Sequence, residues 1–167
     1  MKKPRILVVG ENSFHARAFI HHTANDIELT AMRRPDANLI AQIAADIVIN
    51  FAADPAYFTE PYRPSIDMDR VVAEAAHKSG SHFFMLSTRM VYGPAKGEPF
   101  VEAQDKRPTT PYGRNKSYTE DFVADVLDGD VTILRLSNIF GSEFGRRTFA
   151  GIALTHLRDE KRIVLDI

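Results

Sequence analysis

The chain has 167 residues, 44% of them hydrophobic, and a formal net charge of -1 at pH 7. This length and composition are sufficient for one main domain with a buried core. The 21 basic residues are spread thinly, so we expect no nucleic-acid partner, and no apolar run is long enough to predict a membrane span. Cysteine is absent, which excludes disulfides, thiol catalysis and zinc-thiolate sites and suits the cytoplasm.

Short apolar runs alternate along the chain with segments of helical periodicity. The predicted strands are 5 to 9, 27 to 32, 46 to 51, 82 to 86 and 131 to 136, and the predicted helices are about 13 to 23, 37 to 45, 65 to 79 and 112 to 128. The strand runs are mostly apolar on both faces, which is typical of buried parallel strands. This alternation predicts an α/β fold with right-handed crossovers, in which helices cover both faces of a doubly wound parallel sheet.

The first predicted strand is followed by GENSFHARAF, which has small residues at the spacing of a dinucleotide-binding loop. Ligands of doubly wound sheets bind at the carboxyl ends of the strands. Gly10, Ser13 and Ala16 would let the backbone approach a pyrophosphate at the positive end of a helix. With Asn12 and Phe14 they form the candidate cofactor loop. An ordinary strand-to-helix turn is the alternative interpretation.

Two arginines follow the second predicted strand, and a segment of mostly small residues follows the third. Arg33 and Arg34 stand where an acidic residue would hold the ribose 2′-hydroxyl of NAD. They favour NADP as the cofactor, with NAD second, because arginine can pair with a 2′-phosphate. Two solvated surface arginines are the alternative. After the third strand, Phe51, Ala52 and Ala53 would let a cofactor ribose lie close to the backbone.

A tyrosine and a lysine stand four positions apart behind a proline. The spacing alone is weak, because a second copy occurs at 92 and 96, where a glycine and a proline oppose a helix. Around the first copy, Thr109 or Thr110 can cap a helix and Pro111 suits its first turn. Tyr112 and Lys116 would then share one helix face, about one turn apart.

The stretches at these strand ends resemble a known family. Residues 87 to 93, STRMVYG, match the pattern S-[ST]-x-x-V-Y-G, and residues 134 to 141 match L-R-x-x-N-x-[FY]-G. With the Tyr-x-x-x-Lys pair, they resemble extended short-chain dehydrogenases/reductases of the NAD-dependent epimerase/dehydratase group, and are similar to its dTDP-4-dehydrorhamnose reductase branch. The family loop G-x-x-G-x-x-G differs here at Ser13 and Ala16. The matches run from Lys2 to about Phe149.

This resemblance implies a Rossmann-like dinucleotide-binding domain at 1–141 and the start of a substrate-binding lobe at 142–167. Most of that lobe is expected to be missing, since the chain stops in the strand-like run KRIVLDI. The implied function is that of an NAD(P)-dependent oxidoreductase or epimerase acting on a sugar nucleotide. In the family, helices corresponding to 65–79 and 112–128 form a four-helix seam, so we expect a homodimer.

The resemblance also assigns roles to residues of this chain. The implied catalytic residues are Thr88, Tyr112 and Lys116. Ser87, Tyr112 and Lys116 join the cofactor-binding residues, and Thr88, Arg89 and Asn138 are the implied substrate-binding residues. Dehydratases commonly carry an acidic pair after the threonine, and the arginine and methionine found here disfavour dehydration.

The implied chemistry requires a proton to move at the oxygen of the carbon that gains or loses hydride. A free phenol, with a pKa of about 10, is a poor base at neutral pH. We expect Lys116, together with the positive charge of an oxidised nicotinamide, to lower the pKa of Tyr112. Tyr112 would then act as general acid or base, and Thr88 would hold the same substrate oxygen.

Two other functions are consistent with the same residues. The first is a non-catalytic nucleotide-binding or scaffold protein that keeps the sheet and the helices. The second is a reductase of a small carbonyl compound. We expect no metal site, because adjacent His21 and His22 do not converge as metal ligands must.

Overall fold

The computed structural model describes residues 2–95, 97, 99–137, 139 and 149–159, with backbone only for 149 and 150. A first compact unit ends at Leu136 and a second begins at Ser137. The strands are β1 (Arg5–Val9), β2 (Glu28–Met32), β3 (Ile47–Asn50), β4 (His82–Thr88) and β5 (Val131–Leu136). The α-helices are α1 (Phe14–Thr23), α2 (Ala37–Gln42), α3 (Met68–Ser79), α4 (Pro111–Leu127) and, in the second unit, α5 (Phe149–Arg158). Short 3-10 segments cover Pro55–Phe58, Pro64–Ile66 and Arg89–Tyr92.

The five strands form one sheet in the order β2-β1-β3-β4-β5, and every pair is parallel. The chain leaves β1 toward β2 on one side and returns to β3 on the other. The topology therefore switches direction between β1 and β3, where ligands of such sheets bind. The predicted Rossmann-like α/β fold is confirmed.

Apolar side chains alternate between the two faces of the sheet. On one face, Leu7 and Val9 join a core to which α2, α3 and α4 contribute. On the other face, Ile6 and Val8 pack with Ala16 of α1. This alternation follows from the two-residue period of a strand, and it shows that the sheet is covered on both faces.

The predicted burial of all five strands is wrong at both edges of the sheet, since β5 is only partly buried and its Leu134 is exposed. In β2, Glu28, Thr30 and Ala31 are exposed. β2 has a neighbouring strand on one side only, and Leu29 and Met32 are partly buried on opposite faces of the sheet.

Helix ends follow the predicted capping residues with two adjustments. Asp36 caps α2, Thr110 caps α4 as expected, and Gly80 ends α3 in the left-handed conformation at φ 67°. The helix predicted over 112 to 128 ends at Leu127, because Asp128 takes the left-handed position at φ 40°. The helix predicted from residue 65 begins at Met68 after a 3-10 turn, capped by Asp67.

Across the described ranges, no helix combines the length and apolar character that a membrane crossing requires.

Candidate functional site

The loop after β1 meets the loop after β3 at the topological switch point. A β-carbon added at Gly10 would lie 2.4 Å from the Ala52 amide nitrogen, and Gly10 has φ +86°. The amides of Gly10 and Glu11 both donate to the Met32 carbonyl, at 2.8 and 3.2 Å, which ties the end of β2 to the same place. Only glycine therefore fits at position 10. The three predicted cofactor segments, which follow β1, β2 and β3, converge at this contact.

The N-terminus of α1 begins beside this contact. Ser13 caps the helix, since its hydroxyl accepts a hydrogen bond from the Ala16 amide at 3.1 Å. The Asn12 carbonyl accepts a hydrogen bond from Arg17, and Phe14 is the first helical residue. A pyrophosphate bound at this helix end would therefore lie beside the Ser13 hydroxyl. A glycine at position 13 would have no side chain there.

The remaining cofactor candidates lie at the same edge of the sheet. Arg33 and Arg34 follow β2 and are exposed. After β3, Phe51 and Ala52 are half-buried and Ala53 is exposed. These residues fit a dinucleotide that crosses the carboxyl ends of β1 and β3, with the two arginines beyond β2.

The loop after β3 is held by a buried asparagine. The Asn50 side chain accepts a hydrogen bond from the Ala52 amide at 2.9 Å and donates to the Ala52 carbonyl at 3.1 Å. The side-chain amide nitrogen of Asn50, Nδ2, also donates to Asp69 Oδ1 of α3 at 2.7 Å. Asn50 thus links the candidate ribose-binding segment to α3.

The first turn of α4 packs closely on the segment after β4. Thr88 ends β4, and its hydroxyl accepts a hydrogen bond from the Met90 amide at 3.3 Å. A β-carbon added at Gly113 would lie 2.6 Å from the Met90 carbonyl oxygen. The first turn of α4, which carries Tyr112, therefore abuts the turn that begins at Thr88. Arg89 is half-buried at the start of that turn.

The Tyr112 phenol lies in an aromatic environment. Its ring centroid is 4.9 Å from that of Phe58 and 6.3 Å from that of Tyr57. Burial raises the pKa of Tyr112, Lys116 lowers it, and Asp69 raises it again, with a net increase. The expected lowering of this pKa by Lys116 is thus correct in sign but outweighed by burial, which disfavours the phenolate.

Lys116 is buried and paired with a carboxylate. Its Nζ donates to Asp69 Oδ2 at 2.5 Å, and the two side chains are 10% and 6% exposed. The ammonium also lies 5.4 Å from the centroid of the Tyr57 ring. Burial alone lowers the pKa of Lys116, but Asp69 and Tyr112 raise it, and the net shift is upward.

Asp69 was not among the predicted site residues, although the sequence held a signal for it. On α3 it continues the buried stripe formed by Val72, Ala73 and Ala76, at positions i+3, i+4 and i+7. Lys116 similarly begins the buried stripe of α4, which continues through Glu120, Val123 and Leu127. A charge of each sign on two facing apolar stripes predicts a buried ion pair.

The Ser87 side chain contributes to a different cluster from the one predicted. Its hydroxyl donates to Glu120 Oε1 at 2.5 Å, and Arg135 donates to both carboxylate oxygens of Glu120. Arg135 also donates to the Tyr92 hydroxyl at 2.7 Å. The Ser87 hydroxyl is therefore directed at α4, where Glu120 accepts its hydrogen bond.

Asn138, the predicted substrate-binding residue, lies outside the described residues. The rings of the adjacent His21 and His22 are in edge contact, with their centroids 5.2 Å apart. Within the described part of the chain, no group of three or more histidine or carboxylate side chains is placed to hold a metal ion.

The chain is similar to known proteins in both sequence and structure. Residues 4–165 match the family described as the NAD dependent epimerase/dehydratase family. A dTDP-4-dehydrorhamnose reductase of Sinorhizobium fredii is 31% identical over 180 residues, covering 97% of this chain and 60% of the reductase. A dTDP-D-glucose 4,6-dehydratase of Mus musculus is 32% identical over 106 residues, covering 58% of this chain and 30% of the dehydratase.

Among solved structures, dTDP-4-dehydrorhamnose reductase from Bacillus anthracis in complex with NADP superimposes with a TM-score of 0.79 at 20% identity. That match covers 94% of this chain and 60% of the reductase. The chain thus spans about three fifths of the length of these reductases. With the family match extending over nearly all of its residues, the chain belongs to the NAD-dependent epimerase/dehydratase family.

Proposed function

We propose that this chain is the cofactor-binding part of an NAD(P)-dependent reductase or epimerase of nucleotide sugars, with Tyr112 as its general acid or base. The observation that supports the proposal is the packing of Gly113, the residue after Tyr112, against the carbonyl of Met90, two residues after Thr88. General acid–base catalysis needs a titratable group within hydrogen-bond reach of the reacting oxygen. A phenol and a hydroxyl at adjoining strand and helix ends could hold one oxygen between them.

The cofactor would bind across the switch point. We assign Gly10, Asn12, Ser13 and Phe14 to the pyrophosphate, where the positive end of α1 favours an anion. The segment of Phe51, Ala52 and Ala53 would contact a ribose, and Arg33 and Arg34 would contact a 2′-phosphate. The bound nicotinamide supplies or accepts the hydride.

The residues of this chain would then manage the proton. With its raised pKa, Tyr112 is a neutral phenol at neutral pH, so it can donate a proton to a carbonyl oxygen as that oxygen becomes an alcohol. Thr88 would orient the oxygen by a hydrogen bond. The charge of Lys116 would favour the phenolate that remains. This arrangement favours reduction, as in the relative named a dTDP-4-dehydrorhamnose reductase.

We also propose that the chain forms a homodimer through α3 and α4. Val71 of α3 and Tyr118 of α4 are 37% and 57% exposed. Phe122 of α4 is part-buried, with the Arg70 guanidinium of α3 4.0 Å from its ring centroid. A second copy packing on this face would bury these side chains.

The second candidate function is a non-catalytic nucleotide-binding or scaffold protein. Ser13 favours it, because its hydroxyl occupies the helix end at which family members have glycine in the loop G-x-x-G-x-x-G. On that alternative, the chain binds no nicotinamide cofactor, and Tyr112 serves only to pack against Phe58.

The experiment that separates these functions combines cofactor binding with turnover. The purified chain is incubated with NADPH and NADH separately, and nicotinamide fluorescence and thermal stabilisation are recorded. Activity is then measured on dTDP- and UDP-linked keto sugars and, in a parallel arm, on simple ketones and aldehydes. Binding of either cofactor supports the proposal, and stabilisation by neither supports the scaffold.

The role of Tyr112 is tested by Tyr112→Phe, with Tyr118→Phe as the matched control, since it removes a hydroxyl from the same helix and keeps the ring assigned to the dimer contact. Tyr112→Phe should retain cofactor affinity and lose about 100-fold or more in kcat, because it removes the hydroxyl that would transfer the proton. Tyr118→Phe should retain both. Undiminished turnover in Tyr112→Phe would rule out the acid–base role.

A further inference from the structure

A continuous chain of buried polar contacts connects the loop after β3 to the catalytic helix. Asn50 holds both backbone polar groups of Ala52 and donates to one oxygen of Asp69, at 2.7 Å. The other oxygen of Asp69 accepts from Lys116 at 2.5 Å. Each carboxylate oxygen therefore has a partner on a different element, β3 on one side and α4 on the other.

The carboxylate determines whether the lysine can carry its charge. A buried ammonium without a counter-ion loses its proton readily, and buried lysines titrate several pH units below exposed ones. The side chain of Lys116 is only 10% exposed. Asp69 offsets this burial and, through a direct hydrogen bond, fixes the direction in which the ammonium points.

We propose that Asp69 is a positioning residue that keeps Lys116 as a buried ammonium and, through Asn50, couples the catalytic helix to the loop after β3. Its part in catalysis rests on the proposed function, whereas the ion pair does not. A charged Lys116 is the group that favours the Tyr112 phenolate, so loss of Asp69 should make catalysis depend on the titration of Lys116.

Other charged or titratable groups around the pair are few among the described residues. Asp67 at the start of α3 adds a weaker field that raises the pKa of Lys116, and Tyr112 contributes from α4. The 3-10 segment Pro55–Phe58 presents the Tyr57 ring, whose hydroxyl is hydrogen-bonded to Thr119 at 2.5 Å. Asp67 accepts a hydrogen bond from Thr119 at 2.6 Å, and among the described residues Asp69 is the carboxylate that contacts the ammonium.

The first measurement uses the cofactor-free wild-type chain. The pKa of Lys116 is followed by NMR with isotope-labelled lysine, and the signal is assigned with Lys116→Met. We expect a value above 10.5, the ordinary value for lysine. A value at or below that would overturn the proposal without any variant at Asp69.

The second measurement compares Asp69→Asn with Asp67→Asn. Asparagine keeps the shape of aspartate and can still accept from Asn50, but it cannot neutralise Lys116. We expect the pKa of Lys116 to fall by about 1 to 3 units in Asp69→Asn. It should change little in Asp67→Asn, in which asparagine can still cap α3. Equal shifts in the two variants, or none in Asp69→Asn, would contradict the assignment.

The third measurement is the pH profile of turnover, or of cofactor affinity where turnover is too slow. Asp69→Asn should lose activity as pH rises through the lowered pKa of Lys116, in a range where wild type remains active. Adding Lys116→Arg should remove this new pH dependence, because arginine stays protonated. A lowered lysine pKa with an unchanged profile would refute the catalytic role of Asp69. Failure of the proposed function would instead show as turnover retained by Tyr112→Phe.

Discussion

Glu120 on α4 is held by a bidentate contact from Arg135 on β5, from Nε at 3.1 Å to one carboxylate oxygen and from Nη2 at 2.9 Å to the other. Glu120 is 2% exposed, and Ser87 adds a hydrogen bond from β4. Arg135 and Ser87 thus join α4 to two strands. Removing one partner of a buried pair leaves the other charge without compensation.

We therefore predict that Glu120→Ala lowers the free energy of unfolding by about 3 to 5 kcal/mol. The matched control is Glu60→Ala, whose carboxylate is 50% exposed in its pair with Arg63. An exposed pair contributes about 1 kcal/mol at most. Urea denaturation of both variants measures the two values, and similar losses would contradict the importance of burial.

The contact between Gly10 and Ala52 leads to a second prediction. Gly10→Ala should destabilise the fold, because it combines left-handed backbone strain with a 2.4 Å approach to a backbone amide. Strain costs about 1 to 2 kcal/mol and overpacking about 1 to 3 kcal/mol. The variant should also bind NADPH more weakly, since the loop after β1 must move.

Gly80→Ala is the matched control for this substitution. Gly80 also has a left-handed φ of +67°, but a β-carbon there meets no atom within 4 Å. Gly80→Ala should lower the free energy of unfolding by the backbone strain alone, about 1 to 2 kcal/mol, and leave cofactor affinity unchanged. Chemical denaturation and fluorescence titration measure the two quantities, and equal costs at both glycines would show that the close approach is unimportant.

The cofactor preference yields a third prediction. Arg33→Asp should shift the ratio of the Kd values for NADH and NADPH toward NADH by about tenfold or more, because a charge-assisted hydrogen bond to a 2′-phosphate is lost and a repulsive charge is gained. Lys78→Asp makes the same charge change in the last turn of α3, before β4 begins. It should leave the ratio unchanged. An equal ratio in wild type and Arg33→Asp would count against the assignment of NADP.

The fourth prediction concerns acid stability at the other end of the sheet. Asp46 accepts hydrogen bonds from the side chain and amide of Arg5, which lower its pKa to about 2. Because the folded pKa lies below the ordinary value of 3.8, the stabilisation is present above that value and is lost as pH falls toward 2.

The stability advantage of wild type over Asp46→Asn should therefore shrink between about pH 4 and 2. It should also shrink at neutral pH in high salt, since the pair is exposed. Thermal unfolding of both proteins across this range tests the first point, and NMR titration of the Asp46 carboxyl gives the pKa directly. An advantage that stays constant down to pH 2 would contradict the ion pair.

Much of the architecture could be predicted because it depends on local patterns. Strands β1 and β5 have the predicted bounds, since short runs of branched apolar residues lie between clear turn residues. Thr110 and Pro111 placed the start of α4, and with it the shared face of Tyr112 and Lys116. The exposure of β2 could not be predicted, because strand order decides which strand lies at the edge.

The sequence by itself determined the alternation of elements, the cap residues and the family, since propensity, periodicity and motif spacing act over a few neighbouring residues. Only the tertiary structure decided the electrostatics of the site. Asp69 and Lys116 are 47 residues apart in the chain, and their ion pair exists because α3 and α4 pack on the same face of the sheet. Burial then raised the pKa of Tyr112, because desolvation depends on what surrounds a group in space and not on its sequence neighbours.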